Sequence, residues 1–513
     1  MVFLLSLIGC GIFGSVEDED RGLDVVTASL VKRYVDVLAS DSMMGRNTPS
    51  SQLNSAAQFI ADEFKSDGLE AFRESYFQQF GLNIINLGND NRLRITKDGK
   101  EQSYTLKSEF VPFEMTANRD ASGPIVFAGY GITAPEYQYD DYAKIDVRGK
   151  IVVVLRHEPC EDDPNSRFDG KNSTQYSNID EKAGIAMEHG AAALFVVTDP
   201  LNHSNLIPRG FPWPSLSKVI PVDALPMTLG VEESKKIPVV HVGTEVIKQL
   251  FGGIEALKAL QARIDSTMTP QSFSIPGANG YVKTSTTIRK FTTQNVLGYC
   301  EGSDPELKNE LLIIGAHYDH IGYKKGVAIG QDSIYNGADD NASGTSGMMA
   351  LAKAFGTLEQ KPKRSILFIA FAGEEEGLLG SLAYVGNPLY PLDKTVAMLN
   401  LDMIGRNSID SLYLIGYSIS PDIVRITQAE NRYVGFKFGY SQEYFLFSGD
   451  QYPFIQKKIP ILFYHSGLHA DYHQVSDESN RINYYKLARV ARLVFRTAMH
   501  IADEHEYYHI TPK

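Results

Sequence analysis

The chain has 513 residues, 43% of them hydrophobic and 22% charged. That balance excludes wholesale disorder, and at roughly 150 residues per domain the length allows two to four domains. Acidic residues outnumber basic ones, 62 to 49, for a net charge of −13, which argues against nucleic acid as a main partner because phosphate binding needs surplus Lys and Arg. Three cysteines are too few for a disulfide framework or a thiolate-rich zinc site, and no apolar run reaches the roughly 18 residues of a membrane span.

Met1 to Phe13 (MVFLLSLIGCGIF) is apolar and short, as the hydrophobic core of an export signal is. Leu7-Ile8-Gly9-Cys10 resembles a bacterial lipobox, in which Cys10 becomes the lipidated first residue and Glu17-Asp18-Glu19-Asp20 a tether. No Lys or Arg precedes the apolar run. The expectation is an exported protein, periplasmic or anchored to the outer membrane. Cys160 and Cys300 then remain, with their pairing open.

From Asp24 to Leu69 the pattern is helical: Leu53, Ala56, Ala57, Ile60 and Phe64 form one stripe of a 3.6-residue period. Gly68 stands where a helix C-cap is expected, and Ser40 to Arg46 reads as a polar turn. Residues 76 to 120 alternate in short strand-like runs. Near Ser122 the texture changes. Ile125–Ala128, Lys150–Leu155, Leu194–Thr198 and Ile237–Val242 are short β-branched runs, interrupted by one helix around Asp180–His189. Residues 122–285 therefore read as a β-rich module without a cluster of potential ligands, and Pro276–Gly280 (PGANG) as a return linker.

From Thr292 onward the pattern is α/β. Leu311–Ala316, Ile366–Ala372, Val396–Leu401, Leu412–Ile415 and Ile461–Tyr464 are continuous apolar runs, the texture of strands buried on both faces of a mostly parallel sheet. Helices lie between them, including Ser346–Phe355 and a last one carrying Leu487, Val490, Ala491, Val494, Ala498 and Ile501 on one face.

Ligands of open α/β sheets bind beyond the carboxyl ends of the strands, and here strand after strand ends in a metal-ligand residue type. Leu311–Ala316 leads into His317-Tyr318-Asp319-His320, Ile366–Ala372 into Gly373-Glu374-Glu375-Glu376, Val396–Leu401 into Asp402, and Ile461–Tyr464 into a loop with His465, His469, Asp471 and His473. Asp339-Asp340 precedes a helix. Each fragment alone has an ordinary explanation, such as an N-cap for the Asp pair or a solvated helix start for the Glu run. Together they form an imidazole and carboxylate donor set without thiolate, which suits paired zinc ions bridged by water.

The series HYDH, GADDNASG, FAGEEEGLLGS, NLDMIG and DYHQVSDES resembles the di-zinc aminopeptidase family with a phosphorylase/hydrolase-like fold. The middle module, with VFAGYGI, DDYAKIDVRGKIVVVLR and GAAALFVV, resembles the protease-associated domain inserted in such enzymes. The resemblance implies an α/β fold, with a mixed, mostly parallel sheet flanked by helices. Together with the texture changes, it divides the chain into a signal and tether (1–23), a first part of the peptidase domain (24–121), the inserted domain (122–285) and the main peptidase part (286–513).

Carried over residue by residue, the resemblance implies two zinc ions bridged by Asp340. One would be bound by His317 with Glu375, the other by His473 with Asp402. Glu374 would be the general base acting on a metal-bridged hydroxide, and Asp319 would orient the His317 ring. Tyr472 is similar to a phenol that in some relatives hydrogen-bonds the developing oxyanion. The implied substrates are peptides with a free N-terminus. His320, His465 and His469 receive no ligand role and read as pocket-wall or structural residues. Gln451, in Ser448-Gly449-Asp450-Gln451, departs from the Ser-Asp-His expected there. Two alternatives stay open: a carboxypeptidase or glutaminyl-cyclase-like enzyme on the same fold, and a non-catalytic binding protein that uses the inserted domain.

Overall fold

The structure, a computed structural model, describes residues 19–168, 170, 173–211, 213, 216, 226–230, 235–328, 330–506 and 508–511. Cys10 and the apolar N-terminal run lie outside these residues. The chain divides into two compact units, one formed by Met1–Leu82 with Phe291–Lys513 and the other by Asn83–Lys290.

The first unit is built on a mixed sheet. Its strands run in the spatial order Phe77–Leu87, Thr286–Cys300, Ser365–Phe371, Leu311–His317, Thr395–Leu401, Ile461–His465, Ser411–Ile415 and Lys437–Gly439. The four from Ser365–Phe371 to Ile461–His465 are mutually parallel, and every residue in them is buried. That explains why they read as unbroken apolar runs rather than as alternation. Successive side chains point to opposite faces: Leu312 and Ile314 join one core cluster, Leu311 and Ile313 another.

Helices Ala28–Leu38, Ser51–Ser66, Gly344–Thr357 and Tyr484–Asp503 contribute to the first of these clusters. The starts of the first, second and last are fixed by side-chain caps. Thr27 accepts the Leu30 N–H at 3.1 Å, Ser50 that of Leu53 at 3.0 Å, and Asn483 that of Lys486 at 3.0 Å, each satisfying a donor that the first helical turn leaves free. The expected stripe on Ser51–Ser66 is the buried one, and Phe64 lies 6.4 Å from Phe368, centroid to centroid.

The second unit holds a sheet in the order Lys100–Tyr104, Arg92–Lys97, Phe273–Lys283, Asp120–Phe127, Ile151–Leu155, Ala193–Val197, Val239–Val242, Phe110–Pro112. Its boundaries fall at residues 83 and 290, not at the texture changes near 122 and 285. The reason is pairing: Arg92–Lys97 lies antiparallel to Phe273–Lys283, and Phe110–Pro112 to Val239–Val242, so strands early in the chain close both sides of this sheet. PGANG is not a linker but part of Phe273–Lys283. The register shifts between Ser274 and Asn279, a bulge that accommodates Pro276, which has no N–H to give the ladder. The unit is also more helical than its β-branched runs imply. Besides Ile179–Glu188 it has Thr244–Phe251 and Ile254–Thr267, the latter burying Leu257, Gln261 and Ile264 at i, i+4 and i+7. Cys160 and Cys300 are both free thiols.

Phe64→Ala removes a fully buried ring between the helix Ser51–Ser66 and the first unit's sheet. It should cost about 3–5 kcal/mol of stability, read as a lowered urea midpoint; a midpoint within error of the parent would contradict this packing.

Candidate metal centre

Parallel strands deliver the donors. Leu311–His317 ends on His317, with Asp319 and His320 just beyond. Glu374 and Glu375 follow Ser365–Phe371 after a two-residue turn, Asp402 follows Thr395–Leu401 directly, and the loop after Ile461–His465 carries His469, Tyr472 and His473. Because these strands run the same way, their carboxyl ends share one edge of the sheet. Asp340 comes from the turn Ala338–Ser343 before the helix Gly344–Thr357, where its backbone leaves the helical region (φ −105°, ψ 95°).

Asp340 stands between two imidazoles. Its Oδ1 is 3.3 Å from His317 Nε2 and its Oδ2 is 3.1 Å from His473 Nε2. His317 Nε2 also lies 3.5 Å from Asp402 Oδ1 and 4.0 Å from Glu374 Oε2. His473 Nε2 lies 3.1 Å from Glu375 Oε2. Two groups result, His317–Asp340–Asp402 and His473–Asp340–Glu375, with Asp340 common to both. This reverses the partners implied by the family resemblance, which put Glu375 with His317 and Asp402 with His473. Glu374 and Glu375 are adjacent in an extended turn and point apart, so Glu374 faces His317 while Glu375 faces His473 and His320.

The donors fit metal ions. His317 Nε2, His473 Nε2 and Asp402 Oδ1 are buried atoms without a well-aligned hydrogen bond among the described residues, although carboxylate or imidazole atoms surround them. An all-nitrogen-and-oxygen set of this kind, with one shared carboxylate, matches zinc preferences. The other nitrogen of His317, Nδ1, is 3.3 Å from the Asp319 carbonyl oxygen and 3.6 Å from its Oδ1, which orients the ring. Asp319 also accepts the Glu374 N–H at 3.2 Å and the Thr48 hydroxyl at 3.1 Å, so it holds the general-base candidate as well as the imidazole.

Electrostatics separate the two adjacent glutamates. Burial, reinforced by Glu375, Asp450 and Asp402, lifts the Glu374 carboxyl well above its ordinary range against the opposing pull of His317. Burial also opposes charge on Glu375, but His320 and His473 bring that carboxyl below its usual value. Burial works against the charge of Asp340 too, yet His317, His320 and His473 hold it well below the carboxylate range. One glutamate is thus disposed to hold a proton and its neighbour to stay ionised. Tyr472 stacks on His473 with centroids 4.0 Å apart and is partly exposed; burial raises its phenol, keeping it a proton donor.

Several participants carry no signal in the linear pattern. Arg46, in the turn read as polar, is 1% exposed. Its guanidinium donates to the carbonyls of Tyr318 (2.9 Å), Asn336 (2.7 Å) and Gly337 (3.1 Å), and to that of Leu38, tying the His317 and Asp340 segments together. Asp477 accepts the N–H groups of Asp339 (2.9 Å) and Asp340 (3.1 Å) through one oxygen. His320 is buried with Nδ1 2.7 Å from Glu375 Oε1, so it positions that carboxylate. His469 lies 3.2 Å from Asp339, and His465 Nδ1 accepts the Gly467 N–H at 2.7 Å. Gln451 faces inward, accepting from Asn400 at 2.9 Å and donating to Phe445, a structural bracket. The only available hints were the motif contexts: His320 closes HYDH, and Asp477 lies inside DYHQVSDES.

Comparison with known proteins places this sheet and its donors beside a family of peptidases by likeness of sequence and fold. The family model described as Peptidase family M28 matches residues 295–498. The aminopeptidase YwaD of Bacillus subtilis (strain 168) is 26% identical over 325 residues, covering 61% of this chain and 54% of that protein. The aminopeptidase NAALADL1 of Mus musculus is 25% identical over 348 residues, covering 58% and 43%. The chain thus spans about half the length of the curated relatives it matches. Among solved structures, an aminopeptidase from Aneurinibacillus sp. strain AM-1 aligns over 96% of this chain and 98% of its own, with a TM-score of 0.51 at 20% identity, a likeness of fold.

Burial and Asp339 raise Asp477 to about 6. Its folded form therefore binds the extra proton between the ordinary carboxyl value and about pH 6, and the stability this gives is full at low pH and lost as pH rises through 6. In chelated protein the thermal midpoint should fall between about pH 4 and 6, and Asp477→Asn should flatten that decline; parallel curves for the two proteins would refute the assignment.

Proposed function

From the match of residues 295–498 to the model of peptidase family M28 and from the centre described above, we propose that this protein is a zinc-dependent aminopeptidase that removes N-terminal residues from peptides. The observation that carries this reading is the convergence of His317, Asp340, Asp402, Glu375 and His473 around one shared carboxylate, beside a glutamate whose proton affinity is raised. His317 and Asp402 would hold one zinc ion, His473 and Glu375 the other, and Asp340 both. Bound there, zinc supplies Lewis-acid polarisation of a carbonyl and acidifies water.

The residues of the chain divide the remaining work. Glu374, within reach of the space bordered by His317 and Asp402, takes a proton from the attacking water and passes it to the departing amine. Asp319 fixes the Glu374 backbone and the His317 ring, and the Tyr472 phenol serves as a donor toward the developing oxyanion.

The arginines near the centre are engaged within the chain. Arg46 spends its N–H groups on internal carbonyls, and Arg406 bonds Asp471 at 2.6 Å and faces Asp477 at 3.6 Å. The names of the relatives, both aminopeptidases, support aminopeptidase over carboxypeptidase action. We read residues 122–285, which lie within the unit Asn83–Lys290, as the protease-associated domain of the resemblance, and export with attachment through Cys10 as the cellular setting; both readings rest on sequence pattern.

Free aminoacyl reporter substrates should be cleaved and their N-acetylated forms spared, with activity lost on chelation and restored by zinc. Glu374→Gln should lower kcat by about 10²–10⁴-fold while leaving zinc content unchanged. Equal cleavage of both substrates, activity indifferent to chelator, or an unimpaired Glu374→Gln enzyme would each overturn the proposal.

A further inference from the structure

The second unit was expected to contain no cluster of potential ligands. It contains one: His157, Glu161, Asp199 and His203 each bring a donor atom to within 4.8 Å of the others. We propose that these four side chains form a separate binding site for a zinc-class divalent cation, independent of the centre described above.

Register produces the cluster. Ile151–Leu155 and Ala193–Val197 are parallel neighbours, with Leu155 opposite Val197. Two residues beyond each strand end stand His157 and Asp199, and four further on stand Glu161 and His203. The 42-residue offset of the paired strands is the offset of both ligand pairs. The His157 N–H donates to Asp199 Oδ2 at 3.1 Å, and the same oxygen contacts His157 Nδ1. His203 Nε2 lies 2.8 Å from Glu161 Oε1, and Glu161 Oε2 lies 3.6 Å from His157 Nδ1. The two imidazoles stack with centroids 4.4 Å apart. A tight turn closes the second loop, with the His203 N–H on the Asp199 carbonyl at 3.0 Å.

Two observations separate this set from an ordinary surface ion-pair network. Asp199 is 1% exposed, and its Oδ1 has no hydrogen-bond partner among the described residues. The nearest buried cation, Lys182, directs its ammonium to the carbonyls of Tyr130 (2.5 Å) and His157 (2.8 Å), so it braces the loop and does not cap that carboxylate. Two neutral imidazoles and two carboxylates balance a divalent charge, and four nitrogen and oxygen donors match tetrahedral zinc. Neighbouring groups are otherwise engaged. Cys160, between the first two ligands, points its thiol at the Asp265 carbonyl. His241, on the adjoining strand, accepts the N–H groups of Arg209 and Gly210 through Nδ1 and meets the Thr198 hydroxyl through Nε2. A cavity of about 420 Å³, lined in part by His157, Asn202 and His203, gives access from solvent.

The test is a metal count on the full chain. After saturation with Zn²⁺ and removal of free metal, the parent should retain one ion more than His203→Ala, measured by plasma mass spectrometry. Asp340→Ala, which disrupts the first centre, should still retain an ion, and with Co²⁺ substituted should show the visible absorption of a tetrahedral site. His203→Gln, a milder change at a partly exposed position, should lose the same ion. Equal metal content in the parent, His203→Ala and His203→Gln, or no cobalt absorption in Asp340→Ala, would overturn the proposal. Loss of metal at the first centre alone would alter the Asp340→Ala difference and leave the His203 difference intact, so the two readings fail separately.

Discussion

A dense set of carboxylates buried at the ends of parallel strands is the constraint on which this molecule depends. Asp319, Asp339, Asp340, Glu375, Asp402, Asp450 and Asp477 share a small volume with little access to water. Like charges about 4 Å apart repel by about 4 kcal/mol at the effective dielectric of a protein interior. Such a set persists only where cations, imidazoles and backbone N–H groups offset it. Arg46 is the clearest internal answer. Its fully buried guanidinium, lowered by burial to about 10 yet supported by Asp319 and Asp340, places fixed positive charge beneath the acids while bridging the loops that carry them.

The same electrostatics give adjacent, chemically identical residues different tasks. Glu374 and Glu375 share a strand end, but one looks toward Asp402 and Asp450 and the other toward His320 and His473. Proton affinity diverges because environment diverges, the general route by which one fold holds both a base and a ligand. Asp319 links the two functions, bracing His317 and the Glu374 backbone at once. A change at any of these positions therefore reaches several donors, and effects within the centre should not add.

Legibility in the sequence followed the kind of physics involved. The central strands were readable because burial on both faces leaves uninterrupted apolar runs, and His317, Glu375 and Asp402 stood out because they come at or just after such a run, whereas Asp340 and His473 lie in a pre-helix turn and a longer loop. Arg46 was not readable: nothing in a polar turn distinguishes a solvated arginine from one that satisfies four carbonyls. His320 and Asp477 lay inside recognisable motifs, yet their roles depend on contacts across 55 and 137 or more residues. The partner reversal at the centre arose because residue order does not say which way each of two consecutive glutamates points. In the second unit, PGANG read as a linker because Pro and Gly mark both linkers and strand bulges, and only pairing distinguishes them.

The sequence by itself determined the α/β character and the placing of imidazole and carboxylate residues at strand ends, since these depend on local periodicity; which of them were expected as donors came from the family resemblance. Tertiary structure alone decided which imidazole meets which carboxylate, where the second unit begins, and that His157, Glu161, Asp199 and His203 meet at all. Those outcomes follow from strand register, and register is set by pairing between segments far apart in the chain, which no local pattern encodes.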